Sequence, residues 1–442
     1  MSKELLSMGI SALLSALGKG GLSSAELTAA CLASVKENEP RLGVFPTLDA
    51  ERALEKAAEI DTRRMRGERL LPLAGLPMAL ADNIMAKGLP TTCASPMLEG
   101  FISPYNATVV DRLADCILLG KTNIDEFGLR STATSPTQGA AAAVAAGEAL
   151  FALGSDADGL TRQSAALCGA VFMKPTYGAV SRYGLVALAP SLEQIGPITR
   201  NVRDNALLLS AIAGLDRRDA TSKAPQWGEL SPQIGQGITG MRVALPTECC
   251  QEGLSPAVHA LKELGATVEE IKLPDLSCAL AAHDVILSAE AFSGLARFDG
   301  IRYRHRAGAA SLAELYEKHR AERFGDGVKH RILLGGLVLS QQYREIYYER
   351  AQALRTALTR TLLEQLGRYD AILMPLTPRA ACHGGYRREL YTAPANMAGL
   401  PALSLALGKS GEGAPTGIQL VGKPFAEPTL YRIGAALEEV CR

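Results

Sequence analysis

The sequence predicts an α/β protein with a central mixed, mostly parallel sheet that helices cover on both faces. Helical and strand-like patterns alternate along the chain from about residue 73 onward. That alternation is typical of parallel strands, because each crossover between them needs a helix-sized connection. The 442-residue chain is 47% hydrophobic and 21% charged but only 5% aromatic. Small side chains therefore fill the interior, which favours closely packed layers.

The N-terminal part, residues 1–66, is predicted to be helical. Ser23 precedes a short acidic and apolar run and is typical of a helix N-cap. Leu27, Cys31 and Val35 then recur at helical spacing. A second helix is predicted over 49–64, with a charged outer face.

The remaining elements follow in order. Buried strands are predicted at 116–120, 150–154, 241–246, 266–271 and 371–375. Helices are predicted at 108–113, 140–149, 164–168, 199–213, 258–264 and from 428 to the end. We interpret residues 1–442 as one domain, with an N-terminal helical part (1–66), a core (73–245), a helical segment (275–365) and a C-terminal return to the core (366–442).

The charge balance excludes several classes of protein. Forty-six basic and forty-six acidic side chains cancel, so binding of nucleic acid through a bulk electrostatic field is not expected.

We find no window of 18 to 20 uncharged apolar residues and expect no membrane span. Nine irregularly spaced cysteines and no export signal predict reduced thiols in the cytoplasm. The sequence contains neither a metal-ligand spacing nor a phosphate-binding loop, so we expect no metal and no cofactor.

Eight ordered segments carry a family likeness. They are 75–83, 119–127, 141–147, 153–163, 174–178, 181–184, 194–200 and 394–401. With them the chain resembles the amidase signature family, and within it the A subunits of tRNA-dependent glutamyl/aspartyl amidotransferases. The resemblance implies the amidase-signature fold. It also implies B- and C-like amidotransferase subunits, or a catalytic homologue, as partners.

The resemblance further implies a catalytic relay of a lysine, a serine on a cis peptide and a nucleophilic serine. Its three positions fall on Ala81, Pro136 and Leu160, none of which carries the required group. Backbone N–H groups of a glycine-rich turn would bind the oxyanion, and Asp158 replaces one of those glycines. We therefore expect a catalytically degenerate protein, a pseudoamidase that binds a ligand or a partner.

Other family positions are retained or shifted. In the family, an arginine and an aspartate together bind an amino-acid ligand. Arg355 matches this arginine, and Glu389 stands at the position of the aspartate. We expect either a ligand-binding pair or ordinary surface charges at these positions. Asp156, Arg162 and Gln163 are expected to support the loops by hydrogen bonds.

Two alternatives to the pseudoamidase stay open at this stage. One is an amidase, or the A subunit of a glutamine-dependent tRNA amidotransferase, with a rebuilt active site. Four side chains near the turn offer possible nucleophiles, although none has the family spacing: Ser155, Thr161, Ser164 and Cys168. The other alternative is a structural homologue with no ligand.

Overall fold

The computed structural model describes residues 2–129, 139–249, 253–303, 308–376, 389–409 and 415–441. The predicted fold class is confirmed: the chain folds into a large mixed sheet with helices packed against it. Within the described residues the helices are α1 (Ser2–Ser7), α2 (Ile10–Gly18), α3 (Ser24–Leu42), α4 (Ala50–Met65), α5 (Thr108–Arg112), α6 (Gly139–Ala145), α7 (Leu160–Leu167), α8 (Val202–Ile212), α9 (Ser255–Glu263), α10 (Leu276–Leu295), α11 (Leu312–Arg323), α12 (Asp326–Leu339), α13 (Arg350–Leu366), α14 (Ala393–Met397) and α15 (Glu427–Cys441).

Strands from almost the whole length of the chain build one sheet. Its members are β1 (Thr47–Leu48), β2 (Pro77–Ala81), β3 (Ile117–Thr122), β4 (Phe151–Asp156), β5 (Val171–Lys174), β6 (Gln194–Thr199), β7 (Arg242–Pro246), β8 (Thr267–Ile271), β9 (Ala371–Pro375), β10 (Ala402–Lys409) and β11 (Pro415–Val421). The spatial order is β1-β3-β2-β4-β6-β5-β10-β11-β9-β7-β8. Every residue of β4 and of β6 is buried. Because successive strand residues point to opposite faces, both faces of the sheet are covered there.

Parallel pairing is limited to the two flanks of the sheet, which corrects the expectation of a mostly parallel sheet. Strand β2 pairs in parallel with β3 and β4, and β7 pairs in parallel with β8 and β9. The middle of the sheet, from β4 through β6, β5, β10 and β11 to β9, is antiparallel. The physical reason lies in the connections: the segments from β5 to β6 and from β10 to β11 contain no described helix, and antiparallel strands need no helical crossover.

The predicted N-cap of α3 is present as a capping box. The Ser23 hydroxyl accepts a hydrogen bond from the Glu26 backbone N–H at 3.1 Å, and the Glu26 carboxylate accepts one from the Ser23 backbone N–H at 2.9 Å. These reciprocal bonds satisfy two backbone donors that a helix start leaves open. Leu27, Cys31 and Val35 face the core, as their spacing predicts.

Helix α10 is long and apolar enough to cross a membrane by length and composition alone, which the sequence patterns did not predict. More than half of its most apolar stretch is buried inside the fold. It packs against α12, α13 and α14. A buried helix of a globular core passes the same length and composition test, and these contacts agree with that interpretation.

Sheet topology gathers three strand ends at one edge. Strands β2 and β4 run parallel, so their carboxyl ends lie side by side. Strand β6 runs antiparallel to β4, and Gln194 at its start pairs with Asp156 at the end of β4. Residues that follow β2 and β4, or that precede β6, therefore meet at this edge.

Candidate functional site

Three polar side chains meet where these strands end. Asn83 follows β2, Ser155 lies near the end of β4, and Glu193 immediately precedes β6. The Ser155 hydroxyl donates to Glu193 Oε1 at 2.6 Å, and Asn83 Nδ2 donates to Ser155 Oγ at 2.8 Å. Asn83 and Glu193 are buried, and Ser155 is 9% exposed. The result is a short chain of hydrogen bonds that ends on a carboxyl group.

Burial sets the protonation behaviour of Glu193. It raises the pKa of this carboxyl from 4.5 to about 7, against the opposing effect of hydrogen bonds from Ser155 and from the Leu188 backbone N–H. Desolvation disfavours the charged form, while the donated hydrogen bonds favour it. A carboxyl group with a pKa near 7 can both accept and donate a proton at neutral pH.

A cavity opens beside this group. The cavity is small, and the empty space in and around it, open solvent included, amounts to about 340 Å³. Its polar wall is formed by Asn83, Ser155, Asp158 and Glu193. The remaining wall is formed by Ile124, Phe127, Gly128, Ala157 and Leu188.

The turn between β4 and α7 forms one rim of the cavity, and carboxylates occupy two of its backbone N–H groups. The Gly159 N–H donates to Asp156 Oδ1 at 2.7 Å. The Leu160 N–H donates to Asp158 Oδ1 at 2.9 Å. An oxyanion at this turn would compete with both carboxylates for the same donors.

Glycine is required at position 159 for two reasons. Its φ is 105°, a conformation that side chains rarely allow. A Cβ atom added there would also lie 2.1 Å from Cβ and Oγ1 of Thr392. The Thr392 hydroxyl donates to the Asp158 carbonyl at 2.6 Å, so the segment before α14 packs directly on the turn.

The three residues expected to support loops lie in one buried network. Arg162 Nε donates to Asp156 Oδ2 at 3.1 Å, and both side chains are fully buried. Arg162 also donates to Gln419 Oε1, to the Thr392 carbonyl and to Asn396 Oδ1. Although burial alone raises the pKa of Asp156, Arg162 and Asn396 lower it below its ordinary value.

Gln163 extends this network toward the C-terminal part of the core. Its Nε2 donates to the Leu376 carbonyl at 3.3 Å and to Thr392 Oγ1 at 3.5 Å. These hydrogen bonds join α7 to distant segments, and the loop-supporting role of the three residues stays a prediction.

The positions that the resemblance assigns to the relay are apolar where the structure describes them. Ala81 ends β2 and is buried. Leu160 begins α7 and is buried beside the turn. Pro136 lies outside the described residues. The loss of the relay at these three positions stays a prediction.

A lysine lies on the strand next to Ala81 but is bound elsewhere. In the pairing of β2 with β3, Lys121 is opposite Leu80. Its Nζ lies 3.4 Å from Asp82 Oδ1 and 3.3 Å from Thr91 Oγ1, and the lysine is fully buried. Burial lowers the pKa of Lys121, while Asp82 opposes that effect.

Of the four possible nucleophiles near the turn, only Ser155 lines the cavity. Thr161 is fully buried and donates to the Ser155 carbonyl. Ser164 is buried within α7. Cys168 lies at the C-terminal end of α7, where burial raises the pKa of its thiol.

Arg355 approaches the site through the segment that precedes Glu193. Its Nη1 donates to Ser191 Oγ at 2.8 Å, its Nη2 to the Ser191 carbonyl at 2.9 Å, and its Nε to the Met397 carbonyl at 2.7 Å. Arg355 thereby joins α13 to this segment. Glu389 lies three residues before Thr392, and the Glu389 carbonyl accepts a hydrogen bond from the Thr392 backbone N–H. Ligand binding by Arg355 and Glu389 stays a prediction.

Sequence reasoning missed Glu193 as a site residue. The signal available was one acid within the otherwise uncharged stretch 184–199. Its partner Ser155 lies 38 residues away, and no local spacing links the two. Among the described residues, no group of three or more His, Cys, Asp or Glu side chains is arranged to hold a metal ion.

Comparisons with known proteins agree over nearly the whole chain. The family model described as "Amidase" matches residues 26–140 and 137–431. The A subunit of the glutamyl-tRNA(Gln) amidotransferase of Symbiobacterium thermophilum is 44% identical over 466 residues, covering 96% of this chain and 94% of that protein.

Two solved structures share the fold. The A subunit of the glutamyl-tRNA(Gln) amidotransferase of Thermotoga maritima has a TM-score of 0.77 at 34% identity, covering 98% of this chain and 95% of that one. The native peptide amidase of Stenotrophomonas maltophilia has a TM-score of 0.83 at 30% identity, covering 99% and 97%.

The similarity to the Symbiobacterium thermophilum protein corrects the functional expectation. A catalytically degenerate pseudoamidase is the wrong main interpretation, because 44% identity over 96% of the chain to an amidotransferase A subunit supports a working subunit of that kind. The alternative with a rebuilt active site agrees better with this finding.

Proposed function

The chain belongs to the amidase signature family, and we propose that it acts as the A subunit of a glutamine-dependent tRNA amidotransferase with a rebuilt active site. The observation that carries the proposal is the 44% identity to the A subunit of Symbiobacterium thermophilum over 96% of the chain. In this role the chain releases ammonia from the side-chain amide of glutamine. Its partners are B- and C-like amidotransferase subunits, and its location is the cytoplasm.

The proposed reacting groups are Ser155 and Glu193. Ser155 lines the cavity, and its hydroxyl oxygen Oγ lies 2.6 Å from Glu193 Oε1. That separation lies within the reach expected for a nucleophile and its general base. The pKa of Glu193, about 7, allows the carboxylate to take a proton at neutral pH. Neither Ala81 nor Leu160 offers a comparable group.

The proposed reaction has two stages. Ser155 Oγ bonds to the amide carbon while its proton passes to the Glu193 carboxylate. Glu193 then gives that proton to the amide nitrogen, the C–N bond breaks, and ammonia leaves an acyl ester on Ser155. In the second stage a water molecule gives a proton to Glu193, and the oxygen of that water bonds to the acyl carbon. The ester bond breaks, Ser155 recovers a proton from Glu193, and glutamate leaves.

An amide side chain orients the attacking hydroxyl in this proposal. Asn83 Nδ2 is 2.8 Å from Ser155 Oγ and is the donor placed beside the attacking oxygen. The turn N–H groups of Gly159 and Leu160 serve Asp156 and Asp158 instead. Oxyanion stabilisation by this chain is therefore not expected to come from these two turn N–H groups.

The test is ammonia release from glutamine by the purified chain, alone and together with the B- and C-like subunits. We expect release that falls at least about 100-fold in Ser155→Ala, because the nucleophile is lost. Ser164→Ala is the matched control: it removes another buried hydroxyl of the same region, outside the cavity, and retains activity.

Two outcomes overturn parts of the proposal. No ammonia release by the assembled subunits removes the proposed activity. Release that is equal in Ser155→Ala and the parent chain removes Ser155 as the nucleophile. Melting curves of both variants confirm that they fold before rates are compared.

A further inference from the structure

The polar wall of the cavity includes a buried hydrogen-bond acceptor that has no partner among the described residues. Asn83 Oδ1 has no hydrogen-bond partner among the described residues, although Asn83 is only 1% exposed. Buried amide oxygens are normally paired, and an orphan costs free energy. Because Asn83 lines the cavity, a bound donor would satisfy this atom.

The neighbouring contacts fix the orientation of the Asn83 amide. Its Nδ2 lies 2.8 Å from Ser155 Oγ and 3.4 Å from Glu193 Oε1. The Ser155 proton is already directed at Glu193 Oε1. The amide nitrogen must therefore face these two oxygens, which leaves Oδ1 as the unpaired atom.

Two carboxyl groups line the same cavity, those of Glu193 and Asp158. Arg182 acts on Glu193 electrostatically, but its own guanidinium binds Thr221 and Asp219. No lysine or arginine is among the described residues that line the cavity. Apolar side chains form much of the rest, and such walls strengthen electrostatic attraction by excluding water. The cavity therefore favours a small cation that donates hydrogen bonds.

We propose that the cavity lined by Asn83, Asp158 and Glu193 binds an ammonium group, either the free ammonium ion or the primary ammonium of an amino acid. An ammonium group carries several N–H donors, which match the Asn83 oxygen and the two carboxylates. Alkali cations share its charge but lack directed donors. This binding does not require turnover and goes beyond the hydrolysis proposed above.

The experiment is calorimetric titration of the full chain at about pH 8, above the pKa of Glu193, with the ionic strength held constant. Asp158 and Arg182 are charged groups whose fields act on Glu193. The probes are ammonium chloride, methylammonium chloride and potassium chloride. L-glutamine and glutaramate, which lacks only the amino group, form a second pair.

The two sets of probes distinguish the sources of the ammonium group. Saturable binding of ammonium or methylammonium, at least about tenfold tighter than potassium, supports the free-ion version. Binding of L-glutamine that glutaramate does not reproduce supports the amino-acid version. Potassium that binds as tightly as ammonium, with glutaramate equal to glutamine, overturns the proposal. So does an absence of binding by every probe.

Variants locate the site. Glu193→Gln and Asp158→Asn each remove one negative charge at nearly constant volume, and we expect each to weaken ammonium binding at least about tenfold. Glu148→Gln is the matched control, because Glu148 is also a buried glutamate with a pKa raised to about 7 but does not line the cavity. Equal binding by all three variants contradicts the assignment. Asp158 is only half-buried, so its variant keeps the test valid if Glu193→Gln fails to fold.

Failure of this proposal and failure of the hydrolysis proposal are distinguishable. Titration with the ammonium, methylammonium and potassium salts measures binding with no reaction, whereas ammonia release measures turnover. A chain that hydrolyses glutamine but binds no ammonium contradicts only the present inference.

Discussion

The backbone N–H of Leu160 donates to the side chain of Asp158, with 2.9 Å between the nitrogen and Oδ1. Gly159, the N-cap residue of α7, has no side chain to perform this role. Asp158 therefore caps the first helical N–H and places a negative charge beside the positive end of the helix dipole. The same carboxylate lines the cavity that contains Ser155 and Glu193.

Replacement of this carboxylate is predicted to change the pH at which the proposed activity appears. The Asp158 charge contributes to the raised pKa of Glu193, although burial is the larger cause. Asp158→Gly should shift the midpoint of the pH–rate profile of ammonia release to lower pH by a few tenths of a unit.

Asp158→Asn serves as the control for this prediction. It removes the charge but keeps an oxygen that can accept from Leu160, so its midpoint should move equally. A midpoint that moves upward in both variants would contradict the electrostatic explanation.

The parent chain should release ammonia faster as the pH rises through about 7, because the proposed base is the ionised form of Glu193 and its pKa is about 7. Below this pH the carboxyl is protonated and cannot accept the Ser155 proton. Initial rates from about pH 5.5 to 8.5, with partner subunits present, measure the profile. Glu193→Gln should abolish both the rate and its dependence on pH in this range. A flat profile in the parent chain would rule out Glu193 as the base.

Glu148 is predicted to lower stability at neutral pH. It is fully buried, neither carboxyl oxygen has a hydrogen-bond partner among the described residues, and burial raises its pKa from 4.5 to about 7. The pKa of Glu148 is higher in the folded state than in the unfolded state. The favourable contribution of the protonated side chain to the free energy of unfolding is therefore complete below pH 4.5 and is lost as the pH rises through about 7.

Glu148→Gln removes this loss. The stability difference, variant minus parent, should increase between about pH 4.5 and pH 8 by at most about 3 kcal/mol, since each pKa unit corresponds to about 1.4 kcal/mol. Urea denaturation at several pH values measures it. A difference that does not change with pH would disprove the assigned pKa shift.

Arg162→Met should be strongly destabilising, by about 3 to 5 kcal/mol in the free energy of unfolding. The substitution leaves Asp156 buried without its cation and removes hydrogen bonds to Gln419 and Thr392. Arg344→Met is the matched control, since Arg344 pairs with Glu349 on the surface and such pairs contribute about 0 to 1 kcal/mol. Equal losses in the two variants, measured by denaturant unfolding, would refute a special role for the buried network.

Local patterns predicted much of the fold. The capping box at Ser23, the strand before α9 and the strand after it all depend on neighbouring residues, and each is present. Strands β5 and β6 are among the strands that were missed. β5 has only four residues, and β6 contains both Gly196 and Pro197, which weaken a strand pattern. Their pairing depends on distant partners rather than on local propensity.

The site was only partly predictable for the same reason. Asp156, Arg162 and Gln163 lie close in sequence and could be selected from one segment. The contact between Ser155 and Glu193 arises only because β6 returns antiparallel beside β4. Helix α7 begins at Leu160, four residues before the predicted helical turn, because the Asp156 and Asp158 carboxylates bind the first N–H groups of the turn.

The central claim is that Ser155 forms the acyl intermediate, and covalent labelling tests it most directly. The assembled subunits are incubated with a diazoketone analogue of glutamine, and peptide mass spectrometry locates the adduct. The account predicts one adduct on Ser155, absent from Ser155→Ala and retained in Ser164→Ala. An adduct on another residue, or ammonia release that persists in Ser155→Ala with no adduct on Ser155 in the parent chain, would contradict it.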